Sequence, residues 1–172
     1  MSDEGQNGNV TDFAALLAFL DETPNQLVNS ASGLSNQELR FQNSPEEFSV
    51  LENLCHLRDL ELQGYTPRIR RILAEVDPAL ADFDGARVAA ESNYNDEQPG
   101  SAFEAFQTAR QQNVAVLRTL TEGQLNREGS LAGVGKITLR RLAEMMREHD
   151  EGHLADLRSL RRRLERSREL TR

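Results

Sequence analysis

Two of the three histidines in this 172-residue sequence, His149 and His153, lie four positions apart. In a helix, four residues turn the chain about 40° past one full turn, so both imidazoles project from one face and can share one divalent cation. The pair lies within an apolar stripe that contains Leu142, Met146, Leu157 and Leu160. Because an unpaired buried polar group costs about 1–3 kcal/mol, we interpret the pair as metal ligands. The alternative is two core histidines satisfied by hydrogen bonds.

His56 is the remaining histidine and the third candidate ligand. It lies off the main apolar stripe of its own helix, so spacing alone leaves its role open. Three neutral imidazoles would leave coordination positions free on the ion, as in catalytic sites. Such an ion can activate a water molecule or a thiolate. Zinc, nickel, manganese and iron all accept imidazole, so the ligand type does not identify the metal.

Three charged residues are candidates for roles beside the histidines. Asp59 follows His56 by three residues, and Asp156 follows His153 by three. Each carboxylate could orient an imidazole or act as a catalytic base, or be an ordinary helix-surface group. Arg110 lies on an otherwise apolar helix face, where a charge must be paired or line a cavity. It could therefore bind an anionic substrate group or form a buried structural ion pair.

The composition indicates a soluble, cytoplasmic protein without a membrane partner. The single cysteine, Cys55, excludes an internal disulfide framework and is expected to be a core residue. No apolar run is long enough to span a bilayer, and residues 1–10 lack the apolar segment of a signal peptide.

The charge distribution argues against a nucleic-acid partner. The net charge is −8, and an acidic surface repels nucleic acid. The exception is residues 158–172, which contain seven arginines and only two acidic residues. We interpret this stretch as the solvated end of the last helix, where positive charge suits the helix dipole. Binding of an anionic partner is the alternative.

Helical periodicity predicts an all-α four-helix bundle over residues 11–165. A flexible tail at residues 1–10 precedes it, and a basic C-terminal end at residues 166–172 follows. The segment 77–100 is a long connection between helices two and three, of the kind that often forms a lid or a crossover. No alternating strand pattern is visible, and we predict a plain turn at residues 129–135.

Capping patterns predict where the helices begin. Helix one is expected to start with Thr11 as its N-cap, and helix four near Thr138. Helix two has two candidate starts, Ser44 and Ser49, each opening a Ser-x-x-Glu capping box, and Ser101 opens another for helix three. Two prolines are expected to bend or restart the helices that contain them: Pro24 and Pro67.

Three motifs resemble those of the DinB-like superfamily, which includes the YfiT-type proteins. Phe48–Asp59 resembles Trp-Ser-x-x-Glu-x-x-x-His-Leu-x-Asp, Phe106–Arg110 resembles Phe-x-x-x-Arg, and His149–Leu154 resembles His-Asp-x-x-His-Leu. The similarity extends from about Val10 to Leu164, with the motifs in the family's order and spacing. Two departures concern the pocket: Phe48 stands where the family usually has Trp, and Asp156 where Gln is common.

This resemblance implies a four-helix bundle with a long crossover, often in a homodimer. It also implies that His56, His149 and His153 are the three ligands of one metal ion. Some members of the superfamily are transferases or isomerases that use a low-molecular-weight thiol, and others resemble hydrolases. We therefore expect a metal-dependent thiol S-transferase or hydrolase acting on a small molecule. The alternative is a non-catalytic metal-binding or stress-response module.

Overall fold

The computed structural model describes the backbone of residues 4–170 and the side chains of residues 12–170. These residues form eight α-helices: α1 (Glu4–Ala31), α2 (Asn36–Leu39), α3 (Val50–Asp59), α4 (Thr66–Ala74), α5 (Gly85–Ser92), α6 (Pro99–Arg118), α7 (Glu122–Leu125) and α8 (Leu139–Leu170). A π-helical segment, Leu60–Tyr65, joins α3 to α4, and a 3₁₀ turn, Tyr94–Asp96, precedes α6.

The predicted all-α four-helix bundle is confirmed. Its helices are α1, the continuous α3–α4 pair, α6 and α8, and α1 packs against both α6 and α8 while α3 packs against α6. The long connection between the second and third bundle helices contains α5 and the 3₁₀ turn. None of the described helices is long and apolar enough to cross a lipid bilayer.

The buried apolar side chains form two clusters along the bundle. The first includes Leu20, Ile72 and Met146, and the second includes Leu51 and Leu157. On α8, Met146 belongs to the first cluster and Leu157 to the second, and His149 and His153 lie between these two residues in the sequence. The candidate ligands on this helix therefore lie where one apolar cluster gives way to the other.

A small three-stranded sheet accompanies the bundle, so the prediction that strands are absent was wrong. Its strands are β1 (Ala79–Leu80), β2 (Glu128–Leu131) and β3 (Gly135–Thr138). β2 pairs with β3 in antiparallel fashion and with β1 in parallel. The plain turn predicted at residues 129–135 is instead most of a hairpin, in which Gly133 has a positive φ of 76°. Strands of two to four residues are too short to show an alternating pattern.

Two helix starts follow the predicted capping chemistry. Ser49 is the N-cap of α3: its hydroxyl accepts the Glu52 N–H at 3.1 Å, and the Glu52 carboxylate accepts the Ser49 N–H at 2.7 Å. Of the two candidate starts, Ser49 is therefore correct and Ser44 is not. α8 begins directly after Thr138, whose hydroxyl accepts the N–H of Arg141 at 3.0 Å.

The other two bundle helices begin earlier than predicted. α6 begins at Pro99 instead of Ser101, because proline suits the first helical turn, where no N–H is needed. α1 begins at Glu4 instead of Thr11 and continues through Pro24. The predicted flexible tail and basic C-terminal end extend beyond the described residues, and both stay predictions.

The interruption expected at Pro67 takes the form of the π-helical segment just before it. The N–H of Thr66 bonds to the carbonyl of Glu61, five residues earlier, instead of four. A π-turn holds more residues than an α-turn and so rotates the side chains that follow. Within this segment, Leu62 is 44% exposed, whereas Glu61 is fully buried.

Candidate metal centre

The three histidines meet between the second and fourth bundle helices. His56 lies on α3, and His149 and His153 lie on α8. The Nε2 atom of His149 is 3.2 Å from the Nε2 atom of His56 and 3.2 Å from that of His153. One ring nitrogen of each histidine lies within 4.8 Å of the others. Three imidazole nitrogens are thus close enough together to bind a single ion.

Asn53 fixes the protonation of one of these rings. Its amide Nδ2 donates to the carbonyls of Ser49 at 2.9 Å and Phe48 at 3.3 Å, which orients the amide. Its Oδ1 then lies 2.7 Å from Nδ1 of His153. Because an amide oxygen only accepts, Nδ1 carries the proton and donates it, leaving the lone pair of Nε2 for a ligand.

The other two rings have a buried nitrogen without a partner. Within the described part of the chain, Nδ1 of His56 and Nδ1 of His149 make no hydrogen bond. The His56 ring is flanked by two aromatic rings, with centroids 5.5 Å away for Phe48 and 6.1 Å for Phe83. Imidazoles in such surroundings lose their hydrogen bonds to water and gain no replacement from the protein. A cation bound at Nε2 would offset the free-energy cost of this loss.

All three histidines are held in the neutral form at neutral pH. Burial, reinforced by the charge of His153 and opposed by Asp59, lowers the pKa of His56 to about 4. Burial and the neighbouring histidines lower the pKa of His149 to about 3. Burial also lowers the pKa of His153, against the opposing charge of Asp150. A neutral imidazole is the form that binds metal ions.

Asp59 contacts groups other than the histidines. It is buried, its Oδ2 accepts the hydroxyl of Tyr94 at 2.8 Å, and its Oδ1 pairs with Nε of Arg58 at 2.8 Å. Arg58 also pairs with Glu97 at 2.8 Å. Asp59 thereby links α3 to the connection between the second and third bundle helices.

Asp156 is exposed. It lines a cavity of about 320 Å³ together with Phe48 and Asn53, which contact His56 and His153 respectively. A larger cavity of about 840 Å³ lies between α1 and α6; no histidine lines either cavity, and the larger one also lacks residues that contact a histidine ring. The smaller cavity is therefore the one next to the candidate metal centre.

Arg110 lies in a buried ion-pair network apart from the histidine rings. Its guanidinium is 1% exposed, donates to Glu61 at 2.8 Å, and donates to both carboxylate oxygens of Asp150. Asp150 also accepts the hydroxyl of Thr23 at 3.0 Å, and Glu61 accepts the amide of Asn113 at 2.7 Å. Of the two roles left open for Arg110, these contacts favour the structural ion pair over binding of a substrate anion.

The sequence did not single out Asn53 or the carboxylates that pair with Arg110, those of Glu61 and Asp150. The one available signal for Asn53 is its position three residues before His56, on the same buried side of a helix. For Glu61, the hydrophobic pattern gave no signal, because a charged side chain does not contribute to an apolar stripe.

The chain belongs to the DinB superfamily, whose sequence model matches residues 19–157. This range contains His56, His149 and His153, so the family inferred from the three motifs is confirmed. The fold is similar to that of YfiT from Bacillus subtilis, described as a probable metal-dependent hydrolase with an unusual four-helix bundle topology. The TM-score is 0.81 at 23% sequence identity, over 88% of this chain and 86% of that chain. No curated protein sequence matches the chain.

Proposed function

We propose that His56, His149 and His153 hold one divalent metal ion and that the protein is a metal-dependent hydrolase of a small molecule. The observation that carries the proposal is the convergence of three ring nitrogens within 4.8 Å of one another. The likeness to YfiT, itself described as a probable metal-dependent hydrolase, supports hydrolysis as the reaction class.

The residues present fit a metal ion. Three imidazoles, that of His56 buried and the other two half-buried, face one another through Nε2, and the hydrogen bond from His153 to Asn53 leaves its Nε2 lone pair free. The donor set suits zinc, nickel, manganese or iron. When bound by three neutral imidazoles, such an ion has coordination positions open and supplies Lewis-acid activation of water or of a substrate carbonyl.

Other side chains of the chain have roles around this centre in our proposal. Asn53 holds the His153 ring in one orientation, and Phe48 shields one side of His56 from water. Asp156 is the carboxylate that we retain for proton transfer, because it is exposed in the adjoining cavity. Asp59 is instead assigned to anchoring, because Arg58 and Tyr94 already occupy its oxygens.

Metal content measured by mass spectrometry tests the proposal. Purified wild-type protein should contain near-stoichiometric metal, and the His149→Ala variant should contain almost none, because two histidines bind an ion far more weakly than three. Gly152→Ala is the matched control: it lies on the same helix, and an added methyl group there meets nothing within 4 Å. Absence of metal from the wild type after incubation with zinc, nickel, manganese and iron would refute the site and the enzyme together.

A thiol S-transferase is the second candidate for the reaction. The same open coordination positions would accept a thiolate in place of water. The chain's own thiol is unsuitable, because Cys55 is fully buried and burial raises its pKa to about 12. Thiol transfer would therefore require a low-molecular-weight thiol cofactor, and turnover of an electrophilic substrate that depends on added thiol would favour this reaction over hydrolysis.

A non-catalytic metal-binding or stress-response module is the alternative to an enzyme. Such a module would fill every coordination position of the metal. Addition of azide to the cobalt-substituted protein separates the two possibilities, since an exogenous ligand changes the spectrum only where a position is open. An unchanged spectrum would favour the module.

We also propose a cytoplasmic protein that forms a homodimer and has no nucleic-acid partner. The resemblance to the superfamily supports the dimer, and the net charge of −8 argues against nucleic acid. Sedimentation equilibrium tests the dimer, and a monomer at micromolar concentration would exclude it.

A further inference from the structure

The connection that follows α4 is fastened to the helix that carries His56. The guanidinium of Arg68 donates to the carbonyl of Ala81 at 3.0 Å before α5 begins. After α5, the hydroxyl of Tyr94 donates to Asp59 at 2.8 Å. These contacts hold α5 against the second bundle helix from both ends.

Between these two anchors, the backbone passes unusually close to the His56 ring. A Cβ atom built at Gly85 would lie 2.5 Å from Cε1 and 3.2 Å from Nδ1 of His56. Real Cβ atoms essentially never approach a heavy atom of another, non-neighbouring residue within 3.0 Å. The observed position of the His56 ring is therefore compatible with glycine at position 85 and with no larger residue.

If a methyl group is added at position 85, the His56 ring is the group that is displaced most easily. The start of α5 is held by Asp84, whose side chain caps the helix by accepting the Arg87 N–H at 3.0 Å. Farther along, Val88 and Ala89 pack against the second apolar cluster. The His56 imidazole, in contrast, is the end of a side chain that rotates about two bonds.

We propose that Gly85 is a positioning residue that sets the place of the His56 imidazole and, through it, the affinity of the centre for metal. The connection between the second and third bundle helices thus forms one wall of the site. The metal part of this inference rests on the proposed function, whereas the placement of the ring does not.

A cobalt titration of the full-length protein, followed by absorption, compares Gly85→Ala with Gly152→Ala. Gly85→Ala should weaken cobalt binding about 10- to 100-fold, the usual effect of losing a group that orients a ligand. Gly152→Ala should bind like the wild type, although this residue lies between His149 and His153 in the sequence, because its added methyl group meets open space. Equal affinities in all three proteins would overturn the inference.

Histidine-selective NMR of the metal-free proteins separates this inference from the proposed function. The chain has only three histidines, so each ring gives a resolved signal. In Gly85→Ala the His56 ring should lose its nuclear Overhauser contacts to Phe48, while Gly152→Ala keeps them. If the wild type binds no metal, the proposed function fails and this comparison alone decides the role of Gly85. Retained contacts in Gly85→Ala, or loss of its folded circular dichroism spectrum, would overturn the inference, since the added methyl would not then have displaced the ring.

Discussion

At the scale of single residues, the orientation of one amide prepares one of the three candidate ligands. Asn53 is 1% exposed, and its two donors are taken by backbone carbonyls of its own helix turn. Only its oxygen remains to receive the proton of His153. The direction of this hydrogen bond, and with it the free lone pair of Nε2, follows from the local fold at the start of α3.

We expect Asn53→Ala to weaken metal binding about 10- to 100-fold, because the His153 ring loses the acceptor that orients it. Asn53→Asp is the matched variant: it loses the same two amide donors but keeps an oxygen acceptor for Nδ1. Cobalt titration of both variants should therefore show a much smaller loss for the aspartate. Equal losses in the two variants would mean that Asn53 acts through folding alone.

The residues of the site differ in how far the sequence could identify them. The spacing of His149 and His153 predicted a shared helix face without further information. The resemblance to the superfamily was needed for His56, because its wheel position gave no clear answer. Asn53 could not be predicted, since its bond to His153 joins residues 100 positions apart and depends on how α3 approaches α8.

At the scale of elements, the π-helical segment determines which residues of the second bundle helix face the core. It contains the buried Glu61, whose carboxylate pairs with Arg110 at 2.8 Å, and the exposed Leu62. The sequence predicted an interruption at Pro67 but not its form, because a π-helical segment of six residues leaves no periodic signal of its own. The strands were missed for a related reason, since they are too short for any periodic signal.

Arg110→Met should lower the free energy of unfolding by about 3–5 kcal/mol, because it leaves the carboxylates of Glu61 and Asp150 buried without their cation. Arg118→Met is the control on the same helix. Its partner is Asp21 at 3.1 Å, both side chains are about half exposed, and such pairs contribute about 0–1 kcal/mol. Urea denaturation measures both variants, and similar small losses in the two would contradict a structural role for Arg110.

At the scale of the whole molecule, the order of four helical segments and one long connection was sufficient to predict the bundle. Each long helix presents an apolar stripe that a single sequence displays clearly. The route of the connection past His56 was not predictable, because it depends on contacts such as that between Tyr94 and Asp59, made only after the helices have packed.

The polar network inside the bundle also has a consequence for how the protein unfolds. It draws Thr23 from the first bundle helix, Glu61 from the second, Arg110 from the third and Asp150 from the fourth. Release of the second, third or fourth bundle helix would leave buried charges without an ionic partner, and release of the first would remove a hydroxyl donor from Asp150, so such intermediates are penalised. We therefore expect cooperative, two-state denaturation, with coincident transitions by circular dichroism and by tyrosine fluorescence. Separate midpoints for the two probes would show that individual helices can unfold while the others remain packed.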